Sequence, residues 1–78
     1  MNQPYFNIGD HVRFKQAAID HYDNPSFEVL RGLLFIVDGY LIEDGHELRD
    51  FVNLRCLNKN ISPIHGTHHS ELELVADA

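Results

Sequence analysis

Residues 64–75 read IHGTHHSELELV, and how this stretch is read decides how the chain ends. Its second half alternates: Leu72 and Leu74 fall on one side and Glu71 and Glu73 on the other, the period of a half-buried strand. Its first half carries His65, His68 and His69, which allow two readings. Neutral imidazoles could hold zinc or a late transition metal, with Cys56 or Glu71 completing the set. The spacing argues against it. H-x-x-H-H matches no tight structural-zinc pattern, and adjacent side chains point apart on an extended backbone. The expectation is a polar turn at His-Gly-Thr that continues through His-His-Ser into a last strand, with no metal and no cofactor.

Upstream, Pro63 and Gly66 argue against a continuous strand through NKNISPIHGTHH and for a tight or 3₁₀ turn. The segment FVNLRCLN alternates, placing Val52, Leu54 and Cys56 inward and Asn53 and Arg55 outward. Before it, Asp44-Gly45 is a turn dipeptide. Residues 33–37 form an unbroken apolar run that reads as a strand buried on both faces, with Asp38-Gly39 as a bulge. Asn24 as N-cap, Pro25 at the first position and Gly32 just past the end bracket a short helix over residues 25–31. The preceding AAIDHYD is either a further helical turn or an irregular loop. Gly9-Asp10 turns into a first strand, with Val12 and Phe14 inward and His11, Arg13 and Lys15 outward. Val12, Phe14, Val37, Val52, Leu54, Leu72 and Leu74 are the expected core.

Composition sets the outer bounds. A chain of 78 residues with 44% hydrophobic and 23% charged residues is an ordinary globular composition and one domain, here 1–78 with its ordered core at about 5–75. So small a domain has a modest core, and oligomerisation is a common remedy. MNQPYFNIGD has no basic-then-apolar leader, no apolar run reaches membrane-spanning length, and Cys56 is the single cysteine. The expected setting is therefore the cytoplasm. Twelve acids against six bases give a net charge of −6. Such a surface repels a phosphate backbone, which argues against nucleic acid as the main partner. Arg13, Lys15 and Arg55 are the one local basic cluster that keeps a nucleic-acid accessory role as an alternative.

Four or five short strands with one short helix after the first strand are best accommodated by a small, strongly twisted antiparallel barrel, a mainly β fold. The F-x-x-G-D-x-V-R opening, the long apolar strand carrying Asp-Gly and the terminal S-E-L-E-L-V resemble an SH3-like barrel over nearly the whole chain. Among named families the pattern is similar to the plasmid type II dihydrofolate reductases, the nitrile hydratase β subunit and a small barrel subunit of photosystem I. The reductases hold folate and nicotinamide with a Val-Gln-Ile-Tyr segment. This chain has VNLRCL at the comparable strand and a long insertion around Asn24, so the resemblance implies the barrel without the activity.

No serine, threonine or cysteine lies in a nucleophile motif, and no glycine-rich phosphate loop is present. Cys56, inward on its strand, reads as a small hydrophobe. The leading expectation is a non-enzymatic module acting through protein contacts, as a homo-oligomer or as an accessory to a larger partner. An oligomeric enzyme with its site between subunits is the alternative from another class. The resemblance implies that the long first loop recognises partners, which singles out Tyr22, Phe27 and Arg31, with Tyr40 and His46 beside them. The apolar stretch 33–42 offers a self-association surface.

Overall fold

A computed structural model describes residues 5–75. The architecture is mainly β: one five-stranded antiparallel sheet in the order β4-β3-β2-β1-β5. Its strands are β1 (His11–Phe14), β2 (Phe35–Glu43), β3 (His46–Cys56), β4 (Ile64–His68) and β5 (Leu72–Leu74). The single α-helix among the described residues, α1 (Gln16–His21), follows β1. A 3₁₀ helix, Pro25–Leu30, comes next, and a 3₁₀ turn, His69–Glu71, joins β4 to β5. The first connection thus holds two helical pieces, and the segment left open between a helical turn and a loop is largely α1. The Asn24 side chain accepts the Ser26 N–H as the capping pattern requires, and Gly32 takes φ 77° just past the end. The segment winds as a 3₁₀ helix and not as the α-helix expected.

Alternation built the core. Phe35, Val12, Val37 and Val52 are fully buried, and Leu54, Leu72, Phe14, Cys56, Ile19, Leu30 and Phe6 close around them. The aromatic contacts are edge-on, with Phe14 and Phe35 centroids 5.6 Å apart. Two expectations need correction. Leu33 and Leu34 precede β2 instead of opening it, and only Phe35 and Val37 of that run are fully buried, so the strand covers one face. Leu74 is 61% exposed. Its register opposite Val12 keeps it in phase with Leu72, but β5 is an edge strand and its last residue stays open to solvent.

Asp38-Gly39 is a bulge: the pairing passes from Val37↔Leu54 to Gly39↔Asn53. The Val37 backbone is held at that point by Gly9 and Asp10, which donate and accept at 2.8 and 2.9 Å. Asp44 and Gly45 both have positive φ, 51° and 77°, and close a two-residue hairpin between Glu43 and His46. A second irregularity passes from Tyr40↔Val52 to Leu41↔Leu48, and on the other side of β3 Phe51 pairs with His68 of β4.

The expected His-Gly-Thr turn is a strand. Ile64–His68 pairs with β3, Gly66 at φ 75° absorbs a local kink, and the turn falls at His69–Glu71. The reason lies in geometry that sequence does not display. β4 and β5 are the two edges of the sheet, which in a flat five-stranded sheet would stand about 19 Å apart. Three residues in 3₁₀ geometry advance only about 6 Å. The sheet therefore curls enough for the chain to cross between its edges at this end, and the tight turn sits at that crossing.

Candidate functional site

The long β1–β2 connection is anchored at two points, Ile19 in α1 and Leu30 in the 3₁₀ helix, both buried. Between the anchors Tyr22 packs its edge on Phe14 (6.5 Å, 72°) and meets Phe27 at 4.6 Å with the rings tilted by 42°. Phe27 and Val29 remain exposed beside it. Arg31 ties the two helical pieces together: its Nη2 donates to Asp20 Oδ1 at 2.7 Å, while Nε and Nη2 donate to the two Glu28 carboxylate oxygens at 2.9 Å. That fork holds the Glu28 carboxyl below its ordinary range and raises the Arg31 guanidinium further. Tyr22, Phe27 and Arg31 are thus brought into one place, with Arg31 as an internal strut between acidic groups.

Tyr40 and His46 lie on the β2–β3 hairpin instead. The Tyr40 hydroxyl donates to the Phe6 carbonyl at 2.7 Å, fastening the N-terminal segment, and Arg49 lies over its ring with Cζ 6.0 Å from the centroid. Arg49 is itself bound to Glu47 at 2.8 Å, which raises its pKa. His46 is exposed at the hairpin tip opposite Glu43. These two sit on the hairpin, and the other three sit on the first connection.

The basic cluster is partly neutralised by an acid at its β5 side. Arg13 and Arg55 both face outward, but Arg13 is engaged with Glu73, its partner across β1 and β5. Arg55 forms one end of the row His11–Ile36–Arg55 across β1, β2 and β3. Cys56 is buried, its Sγ donating to the Leu34 carbonyl (3.6 Å) and accepting the Asn58 N–H (3.4 Å).

His65 is exposed on β4, whereas His68 and His69 are half-buried and in ring contact at 4.3 Å. Among the described residues, no three His, Cys, Asp or Glu side chains come together as a metal-holding group. What the pair joins is a row of rings. Tyr5 lies parallel to His69 (3.5 Å, 11°), and His68 meets the edge of Phe51 (5.1 Å, 76°). His68 Nδ1 accepts the Ser70 N–H at 3.2 Å and contacts Ser70 Oγ at 2.8 Å, capping the 3₁₀ turn. Burial, then the neighbouring His68, depresses the His69 pKa, and Lys15 adds to the depression while Asp50 opposes it.

Asn53 is the other residue that strand phase alone left as plain outward surface. Its Nδ2 donates to the Tyr40 carbonyl (3.2 Å) and its Oδ1 accepts the Gly66 N–H (3.0 Å), so one side chain spans β2, β3 and β4. The Asp38-Gly39 bulge signal on the neighbouring strand was the available hint. For Tyr5, no periodicity could connect residue 5 to residue 69. No helix among the described residues is long and apolar enough to cross a membrane. No family model matches the chain, and no curated protein or solved structure matches it.

Proposed function

We propose that this chain is a non-enzymatic protein-interaction or accessory module built on an SH3-like barrel, and that it binds its partner through the β1–β2 connection. The observation that carries the reading is the Tyr22–Phe27 pair: two aromatic rings in contact, with Phe27 37% and Val29 60% exposed on a support fixed by Ile19 and Leu30. Aromatic residues at the surface are costly to leave bare and are enriched where proteins bind. Asp20, Asp23 and Glu28 belong to the same connection, and Arg31, paired with Asp20 and Glu28, neutralises only part of that charge. The surface therefore suits a partner with apolar side chains flanked by cations. The curled five-stranded sheet and the long first connection support the barrel.

A soluble cytoplasmic setting and self-association belong to the same proposal. Leu34 (38%) and Ile42 (65%) keep apolar area exposed on and beside β2, and a second copy would cover it. The test compares wild type with Phe27→Ser and Val29→Asp in capture from the native host, with circular dichroism confirming an unchanged fold. A partner retained by wild type and lost by both variants supports the reading. A partner held equally by all three, at one affinity, overturns the placement of the surface. Sedimentation at pH 8 in moderate salt reads self-association separately, and a clean monomer removes it.

A further inference from the structure

We propose that His68 and His69 form an acid-sensitive latch that holds the N-terminal segment at Tyr5 against the turn joining β4 to β5. The geometry is a continuous row of four rings drawn from four segments: Tyr5, His69 in the 3₁₀ turn, His68 at the end of β4 and Phe51 on β3. Phe6, next to Tyr5, is buried in the core and its carbonyl is held by Tyr40, so Tyr5 is the outermost point of attachment among the described residues.

The proton-sensitive atom is His68 Nδ1. It accepts the Ser70 N–H, which requires a lone pair there and places the neutral ring's proton on Nε2. Protonation puts a hydrogen on Nδ1, pointing at an amide that can only donate. The Ser70 hydroxyl can turn to accept it, but the Ser70 N–H loses its acceptor and the 3₁₀ turn loses its cap. His69 responds differently. A single imidazolium stacked on the Tyr5 face is tolerated, because a cation is attracted to an aromatic face. Two imidazolium rings with centroids 4.3 Å apart repel, so the second proton opens the latch.

The groups facing the pair set where this happens. Asp50, beside Phe51 on β3, favours a charged His69, whereas Lys15 at the end of β1 and His68 itself oppose it. Glu71 lies in the same turn, its carbonyl taken by the Lys15 N–H at 2.9 Å. The ordinary histidine value of 6.5 therefore marks the upper end of the opening range.

The experiment is a proton NMR titration of the full chain from pH 8 to pH 5, following the Tyr5 ring, the His68 and His69 rings and the Ser70 amide. At pH 8 the Tyr5 ring protons should be shifted upfield by His69 and show contacts to it. Between about pH 6.5 and pH 5 they should move to unstacked positions together with the Ser70 amide, while core methyl signals stay in place. His68→Asn keeps an acceptor for the Ser70 N–H but cannot titrate, so its Tyr5 should remain stacked at pH 5. Persistence of the wild-type Tyr5–His69 contact at pH 5, with both imidazoles charged, overturns the proposal. So does opening of His68→Asn over the wild-type range.

Discussion

Replacing Asn53 with alanine removes one side chain and two inter-strand bonds. The ladder shifts register on both sides of this residue, between Val37 and Gly39 towards β2 and between Val52 and Leu54 towards β4. At each shift regular backbone pairing is interrupted, and the carboxamide supplies the missing contact, to Tyr40 O and from Gly66 N. Each bond contributes about 0.5–1.5 kcal/mol net, and a stranded buried partner costs about 1–3 kcal/mol. Asn53 is half-buried, so water can reach part of the gap and the expected loss is about 1–3 kcal/mol. In a domain of this size each kcal/mol lowers the melting temperature by about 4–8 °C. Thermal and urea melts read the effect, and an unchanged urea slope shows that the unfolded state is the same. Asn53→Asp sharpens the test, because its carboxylate can accept from Gly66 but cannot donate to Tyr40. It should be weaker than wild type at pH 7, with the gap narrowing towards pH 4 as the carboxyl gains a proton to donate. An alanine variant that melts within about 0.5 kcal/mol of wild type refutes the brace, since that is the spread of an ordinary surface change.

Leu54 is 1% exposed, and Leu54→Ala should cost about 2–5 kcal/mol in urea unfolding; an unchanged midpoint contradicts the core assignment. Asn24→Ala should cost about 0.5–2 kcal/mol by uncapping the Pro25–Leu30 helix, and backbone chemical shifts that stay extended across it in wild type contradict the cap. Gly66→Ala should cost about 1–2 kcal/mol through its φ of 75° alone, since the added methyl meets only Leu41 at an ordinary 3.5 Å. The depressed His69 pKa means that the folded state binds that proton less tightly than the unfolded chain. Its contribution is complete above pH 6.5 and is lost as pH falls through the folded value, so melts from pH 8 to pH 5 should decline less in His69→Phe. Glu28, also depressed, acts lower, losing its contribution below pH 4.5, and Glu28→Gln should flatten only that acid limb.

Much of the framework was legible in local patterns. Strand phase placed Val12, Phe14, Val37, Val52, Leu54 and Leu72 in the core because a period of two assigns every second side chain to one face. Asp44-Gly45 closed its hairpin and Asn24 capped its helix because positive φ and side-chain capping are decided within a few residues. Of the candidate site, Tyr22, Phe27 and Arg31 came together, being held by one short connection. Tyr40 and His46 lie on the β2–β3 hairpin, where their positions follow from the course of the strands and not from their spacing.

What only the tertiary structure decided concerns meetings between distant segments. Ile64–His68 became a strand despite Gly66, since β3 offered an edge to pair with and a kink at one glycine costs less than leaving that edge bare. Leu74 stayed exposed although its phase is correct, because burial needs something on the far side and β5 lies at the sheet's margin. Tyr5 found His69 across 64 positions of chain, and Asn53 found Tyr40 and Gly66 at two bulges. Periodicity reports which way a side chain points; the curl of the sheet, forced by a three-residue turn between its two edges, decides what it meets.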